Sequence, residues 1–173
     1  MTNESTPAKD SKGAGMHNTA RLDKRFSRPF TLFLTLVLAA MIFGGSFQPG
    51  AWYAGLEKPD LNPPNWLFGV VWPLLYLGMA IAATRVWLET QRVQPLIPWG
   101  VQLVLNAAWS WLFFGLHLPA VAFGEIVVLW VAIVVNLVVF SRIDRWATGL
   151  MVPYLLWVSF ASWLNYQLWQ LNV

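Results

Sequence analysis

The sequence predicts an all-α membrane protein, a five-transmembrane-helix bundle with a long loop between helices one and two. Three observations carry this expectation. Of 173 residues, 57% are hydrophobic and only 11% charged, with a mean hydropathy of +0.53. A soluble domain carries about 25% charged residues, and a chain this short buries only about two-thirds of its surface on folding, too little to hide so much apolar side chain. The same composition excludes a disordered chain, which needs low hydrophobicity and high charge. Second, the charges are clustered: residues 29–56, 61–84, 93–124, 126–141 and 146–173 contain no Asp, Glu, Lys or Arg. Third, the apolar run from Ile126 to Val135 does not alternate. A transmembrane barrel would show alternating segments of about 10 residues. Lipid offers no water to unpaired backbone groups, which leaves helices.

Taken in order, Met1 to Arg28 is polar, with six Lys/Arg, and is expected to be a disordered tail. The transmembrane domain then covers 29–173. A span needs about 20 mostly apolar residues, so the first runs over 29–48 and the second over 65–88. The gap at 93–124 is too long for one span and is broken by Leu116-His117-Leu118-Pro119. It holds span three (98–116) and the start of span four (119–140), which carries one charge, Glu125. Span five covers 146–169. Pro29, Pro98 and Pro119 stand at helix starts, where a missing N–H costs little. Pro73 lies in the first turns of span two, and Pro153 should bend span five. Span one exceeds a signal h-region of about 7–15 residues and no A-x-A site follows it, so it reads as retained.

Five spans put the termini on opposite faces. Lys9, Lys12, Arg21, Lys24, Arg25, Arg28, Arg85, Arg92, Arg142 and Arg145 fall on the N-terminal side, against Lys58 alone on the other. This bias predicts a cytoplasmic N-terminus in an inner or plasma membrane. No folded basic face remains once the tail is set aside, so nucleic acid is not expected as a partner. The absence of Cys excludes disulfides, thiolate metal sites and Cys nucleophiles. Two His without Cys form no metal constellation, and no acid–base pair or nucleophile dyad points to hydrolysis or group transfer.

The chemistry-bearing residues are aromatic: 12 Trp, 11 Phe and 4 Tyr. The first loop, from about Phe47 to Asn65, is made semi-rigid by Pro and Gly. Its Trp52 and Tyr53, with Trp66, stand at interface depth, as an aromatic belt or as a lid over a cavity. Helical neighbours lie three or four residues apart. Phe68, Trp72 and Tyr76 therefore share a stripe in span two, Asn106, Trp109 and Phe113 in span three, and Tyr154, Trp157, Ala161 and Asn165 in span five. Trp109 and Trp157 lie 11 residues past Pro98 and Trp146, roughly 16 Å into the membrane. A belt does not explain that depth. Helix packing does, and so does an aromatic-walled pocket.

The motif Trp52-Tyr53-x-x-Leu56-x-Lys58-Pro59-x-x-x-Pro63-Pro64, followed by Phe68, Trp72 and Leu75-Tyr76, resembles the translocator protein family. Its bacterial members are called tryptophan-rich sensory proteins, and its mitochondrial one the peripheral benzodiazepine receptor. Gln102-x-x-x-Asn106-x-x-Trp109-x-x-x-Phe113-Phe114-Gly115 and Pro153-Tyr154-x-x-Trp157-x-x-x-Ala161-x-x-Leu164-Asn165 are similar in the same order. The resemblance covers about residues 30–172.

The resemblance implies a membrane protein that binds protoporphyrin IX or related tetrapyrroles, including haem, as ligand, with no obligatory cofactor, acting in porphyrin sensing, regulation or transport. By it, Tyr53, Pro63, Phe68, Trp72, Tyr76, Asn106, Trp109, Trp157 and Ala161 line the site, and the loop covers it. It also implies a homodimer among membrane lipid in a bacterium, where the charge bias selects the inner (cell) membrane and the resemblance to some bacterial relatives leaves the outer membrane as the alternative. Two alternatives stand beside this reading. One is a light-dependent porphyrin-degrading catalyst with Trp72 and Trp157 as the redox-active residues. The other is a membrane regulator or chaperone acting through protein partners. Sterol binding is not supported: the pattern Leu/Val–Tyr–Lys/Arg is met by Leu164 and Tyr166, but no basic residue follows.

Of the remaining polar residues, Gln102, Asn136 and Asn165 are expected to form interhelical hydrogen bonds. Glu125 is a candidate for gating, or a carboxyl that snorkels or stays protonated. His117 is expected to be solvated in its loop. Ala40 and Gly44, four residues apart, and Ala107 and Ala108 favour close helix approach.

Overall fold

The computed structural model describes the backbone of residues 11–173, with side chains from Arg25 onward. Among the described residues all regular structure is helical. The helices are α1 (Ser11–Gly45), α2 (Ala51–Gly55), α3 (Asn65–Thr90), α4 (Ile97–Ser110), α5 (Pro119–Ser141) and α6 (Arg145–Leu171). A 3₁₀ turn (Gln94–Leu96) leads into α4 and a π-helical turn (Trp111–Gly115) continues it. Five helical stretches are long and apolar enough to cross a membrane: Arg25–Gly45, Asn65–Thr90, Gln94–Gly115, Pro119–Ser141 and Arg145–Leu171. These match the five expected spans.

The helix α1 starts earlier than Pro29, which lies inside it. The residues ahead of Pro29 include good helix formers, Ala20, Leu22, Lys24 and Arg25, and the helix continues through them. Of the tail expected to lack structure, residues 1–10 lie outside the described residues.

The spans close into a ring. α1 packs on α3, α3 on α6, α6 on α5, α5 on α4 and α4 back on α1. Successive spans alternate in direction, so an odd ring must contain one parallel pair, and that pair is α1 and α4. Small residues set the closest approaches. A Cβ at Gly44 would lie 3.1 Å from Ser110 Oγ on α4, and one at Gly78 would lie 3.3 Å from the Leu150 carbonyl on α6. The interior is filled by fully buried side chains such as Val37, Met79, Ile133, Phe140, Met151 and Tyr154. The outward faces carry exposed Leu, Val and Ile, as a lipid-facing surface requires.

Charges fix one end. Asp144 caps α6: its Oδ1 accepts the N–H groups of Trp146 (2.7 Å) and Ala147 (3.0 Å), satisfying donors that a helix start leaves free. Its Oδ2 accepts from Arg85 Nε and Nη2, both at 2.8 Å, pinning the end of α3 to the start of α6.

Candidate functional site

A cavity of about 320 Å³ lies inside the ring, under the loop that joins α1 to α3. That is the small end of the usual range for ligand pockets, roughly 300–1,000 Å³. All five spans line it: Gly44 from α1; Phe68, Trp72 and Tyr76 from α3; Asn106, Trp109 and Ser110 from α4; Ile126 and Leu129 from α5; Trp157, Val158 and Ala161 from α6. Phe47, Gln48, Pro49 and Tyr53 close it from the loop side. Eight of the nine residues expected to line the site are brought together: Tyr53, Phe68, Trp72, Tyr76, Asn106, Trp109, Trp157 and Ala161.

Pro63 is the exception. It lies in a shallow outer groove between α3 and α6, with Leu67 and Phe160. The cause is the path of the loop. After α2 the chain is extended at Leu56 (φ −67°, ψ 143°). Glu57 then exchanges two hydrogen bonds with Asn172, each 2.9 Å. That tie draws the loop toward the C-terminal end of α6, and Pro63 lands outside the wall.

The walls are aromatic and held by a few polar bonds behind them. Tyr76 donates its hydroxyl to Asn106 Oδ1, and Asn106 Nδ2 donates to the hydroxyl oxygen of Tyr154 at 3.2 Å. Trp109 Nε1 donates to Asn165 Oδ1 at 3.0 Å, and Asn165 Nδ2 donates to the Pro119 carbonyl at 2.9 Å. The α6 stripe is therefore divided in role. Trp157 and Ala161 face the cavity, while Tyr154 and Asn165 position Asn106 and Trp109 from behind. Phe68 meets Trp157 edge-on at 5.6 Å, and Trp72 tilts against Tyr76 at 5.6 Å. The Trp157 N–H is shielded from solvent and has no hydrogen-bond partner.

The π-helical turn shapes the α4 side. Leu116 N–H bonds the Trp111 carbonyl at 2.9 Å, five residues back. The extra residue per turn changes the direction of Phe113 and Phe114. Phe114 reaches the cavity. Phe113 is buried behind it, stacked on Trp109 at 5.2 Å and edge-on to Trp52 at 5.7 Å. Such turns cluster at functional sites.

The loop closes over one end of the cavity. Tyr53 in α2 is buried rather than part of an aromatic belt, whereas Trp66 is 67% exposed and fits one. Tyr53 donates to Asn62 Oδ1 at 3.1 Å. Burial raises its phenol above the usual 10.0, and the Asn62 bond partly offsets this. Lys58 bonds the carbonyls of Ala54 (3.1 Å) and Leu56 (3.0 Å) and sits 5.0 Å over the Tyr53 ring, a cation–π geometry. His117 is exposed, as expected of a solvated loop residue, and it also stacks flat on Trp52, with centroids 4.3 Å apart and planes at 16°. Its left-handed backbone (φ 56°) aims the ring back at the lid.

The other intramembrane polar residues divide. Asn165 does bridge helices, and Gln102 Nε2 reaches Met79 Sδ on α3 at 3.8 Å. Asn136 does not: neither amide atom has a partner, and its neighbours along the buried face of α5 are Ile133 and Phe140. Both Glu125 oxygens are shielded and unpartnered.

Among the described residues, the lining contains no carboxylate, amine, guanidinium or imidazole. Its chemistry is stacking, apolar contact and a few donors. A five-helix membrane bundle with a tryptophan-walled cavity under a tethered lid defines an integral membrane protein of the tryptophan-rich translocator class. Residues 33–170 match the TspO/MBR family, and the chain belongs to it. It is 42% identical to protein CrtK of Rhodobacter capsulatus over 148 residues, 83% of this chain and 92% of that protein. It is 40% identical to tryptophan-rich protein TspO of Chlorobaculum tepidum, covering 82% and 94%. It is also 36% identical to the human translocator protein, covering 70% and 75%.

Proposed function

We propose that the protein binds a planar, mostly apolar tetrapyrrole of the protoporphyrin IX type in the cavity, and acts in porphyrin sensing, regulation or transport. The observation that carries the reading is the cavity wall itself, built from the rings of Phe68, Trp72, Trp109 and Trp157 on three different spans. Trp72, Trp109 and Phe68 supply the faces on which a conjugated ring stacks. The basic residues Arg85, Arg92, Arg142 and Arg145, all at one end of the spans, support an inner membrane with a cytoplasmic N-terminus. A homodimer embedded in lipid is the assembly proposed.

The test is a titration of purified protein with a panel of tetrapyrroles, in the dark and under light. Quenching of Trp fluorescence that saturates in the wild type and weakens at least about tenfold in Trp157→Ala supports the reading. No saturable binding by any tetrapyrrole rejects it. Loss of the Soret band under light, with a new product, assigns the photochemical alternative and Trp72 and Trp157 as its residues.

A further inference from the structure

Trp157 lines two spaces at once. One is the central cavity. The other is the groove of about 530 Å³ on the outer face between α3 and α6. The groove is formed by Leu67, Val71 and Leu75 from α3 and by Pro153, Leu156 and Phe160 from α6, with Leu61 and Pro63 at its loop end. None of these side chains carries a polar atom. Both helices are membrane spans, and the groove interrupts a surface whose flanking residues Val70, Leu74 and Val152 are exposed. What covers those residues in a bilayer also covers the groove, and that is acyl chain.

Trp157 is also the indole best able to respond to such an occupant. Three other tryptophans in the bundle are tethered through their N–H: Trp99 to the Met79 carbonyl (3.2 Å), Trp109 to Asn165 (3.0 Å) and Trp130 to Ser159 (2.8 Å). Trp157 has no such bond and is held by packing on the core and by aromatic contacts to Phe68 (5.6 Å) and Phe160 (5.8 Å). One turn earlier, Pro153 removes a backbone N–H from α6, which loosens the helix locally.

We infer that the α3/α6 groove is a binding site for a single acyl chain of a membrane lipid, and that the chain is coupled to the central cavity through the shared Trp157 side chain. A chain in the groove presses on the outer face of the indole and holds it in the rotamer that walls the cavity. The cavity ligand then meets a preformed wall, and coupling of this kind is reciprocal. The coupling rests on the tetrapyrrole reading; the acyl site does not.

The chain has no Cys, so one introduced thiol is labelled uniquely. Leu156→Cys, at a position 65% exposed, is modified after folding with a dodecyl or a methyl methanethiosulfonate. Leu74→Cys, 64% exposed and outside the groove, is the control. The protein carries 5-fluorotryptophan, and the Trp157 ¹⁹F resonance is assigned by its loss in Trp157→Phe. In nanodiscs of doxyl-labelled phosphatidylcholine, that resonance is expected to broaden, and the dodecyl label at Leu156→Cys to protect it while the label at Leu74→Cys does not. In lipid-free detergent, the dodecyl form of Leu156→Cys is expected to bind protoporphyrin IX about fivefold or more tightly than the methyl form. A Trp157 line untouched by doxyl lipid overturns the acyl site, whatever the porphyrin does. Broadening with equal porphyrin affinity in the two labelled forms overturns the coupling. Broadening with no porphyrin binding in any form upholds the acyl site and rejects the tetrapyrrole reading instead.

Discussion

Trp109 and Asn165, 56 residues apart in sequence, meet through an indole N–H to amide oxygen bond of 3.0 Å. The same amide donates onward to the Pro119 carbonyl at 2.9 Å. One buried side chain thus joins α4, the start of α5 and α6, and fixes a cavity wall. Asn165→Ala orphans the Trp109 N–H, while the Pro119 carbonyl, the first residue of α5, keeps its helical acceptor role. An orphaned buried donor carries a penalty of about 1–3 kcal/mol, moderated because polar bonds in membrane bundles average only about 0.6 kcal/mol. A net loss of about 1–2 kcal/mol is expected in reversible unfolding in detergent, with the Trp109 fluorescence shifted. An unchanged midpoint would mean that the Asn165 bonds are replaced by others.

The hydrogen bonds around Asn106 make an ordered prediction. Tyr76 and Tyr154 lie on different helices and meet on this one amide. Tyr76→Phe removes one bond and leaves the Asn106 oxygen facing the cavity, where a ligand donor can use it. Asn106→Ala breaks both bonds and leaves the fully buried Tyr154 hydroxyl alone. Stability should fall by about 1 kcal/mol in the first case and more in the second, measured by thermal unfolding in one detergent. The reverse order would show that the Tyr154 bond contributes little.

How much of this was legible beforehand follows from which signals have a period. Charge gaps gave the five spans, because a charge in lipid is costly whatever the fold. The three- and four-residue spacing put Phe68, Trp72 and Tyr76 on one face, and the cavity does lie on that face. The spacing did not reveal the π-helical turn at Trp111–Gly115, since one inserted residue leaves no compositional mark, and so the reach of Phe114 was missed. Pro63, placed in the site by resemblance alone, lies in the outer groove, because the loop's course is set by Glu57 and Asn172, 115 residues apart. Asn136 was expected to find a partner because buried amides usually do. The Arg85–Asp144 pair was hidden among charges read only for orientation, although an Asp just ahead of a span is an ordinary N-cap signal.

That pair sets the response to acid. Burial alone would raise the Asp144 carboxyl, but the Ala147 N–H, the Arg85 hydrogen bond, the Trp146 N–H and the Arg85 charge outweigh it and hold the group below its usual 3.8. A depressed value in the folded state means that the unfolded state takes up the proton first. The stabilisation is therefore complete above the unfolded value, about 3.9, and is lost as pH falls through the lower folded value. Wild type should lose stability between pH 5 and 3 more steeply than Asp144→Asn. At pH 7 the Asn variant should cost only about 0.5–1 kcal/mol, because Asn also caps a helix well and Arg85 is partly exposed. Parallel pH profiles in the two proteins would exclude Asp144 as the group responsible.

The lid is held by the Trp52–His117 stack, by the packing of Trp52 and Tyr53 on Phe113 and Phe114, and by the Glu57–Asn172 exchange, and the first can be removed without touching the cavity. His117→Ala deletes a ring-on-ring contact of the kind that contributes about 0.5–1.5 kcal/mol. Amide exchange across Ala51–Gly55 should then quicken by about 2- to 10-fold, while the spans stay protected. His117→Phe keeps a flat ring on Trp52 and should restore slow exchange, which a general loss of folding would not do. Because Tyr53 lines the cavity from the same short helix, a ligand should also leave His117→Ala faster than wild type, with its association rate little changed. Slow exchange in both variants would show that the Phe113 and Phe114 contacts and the Glu57–Asn172 tie keep the lid closed without the stack.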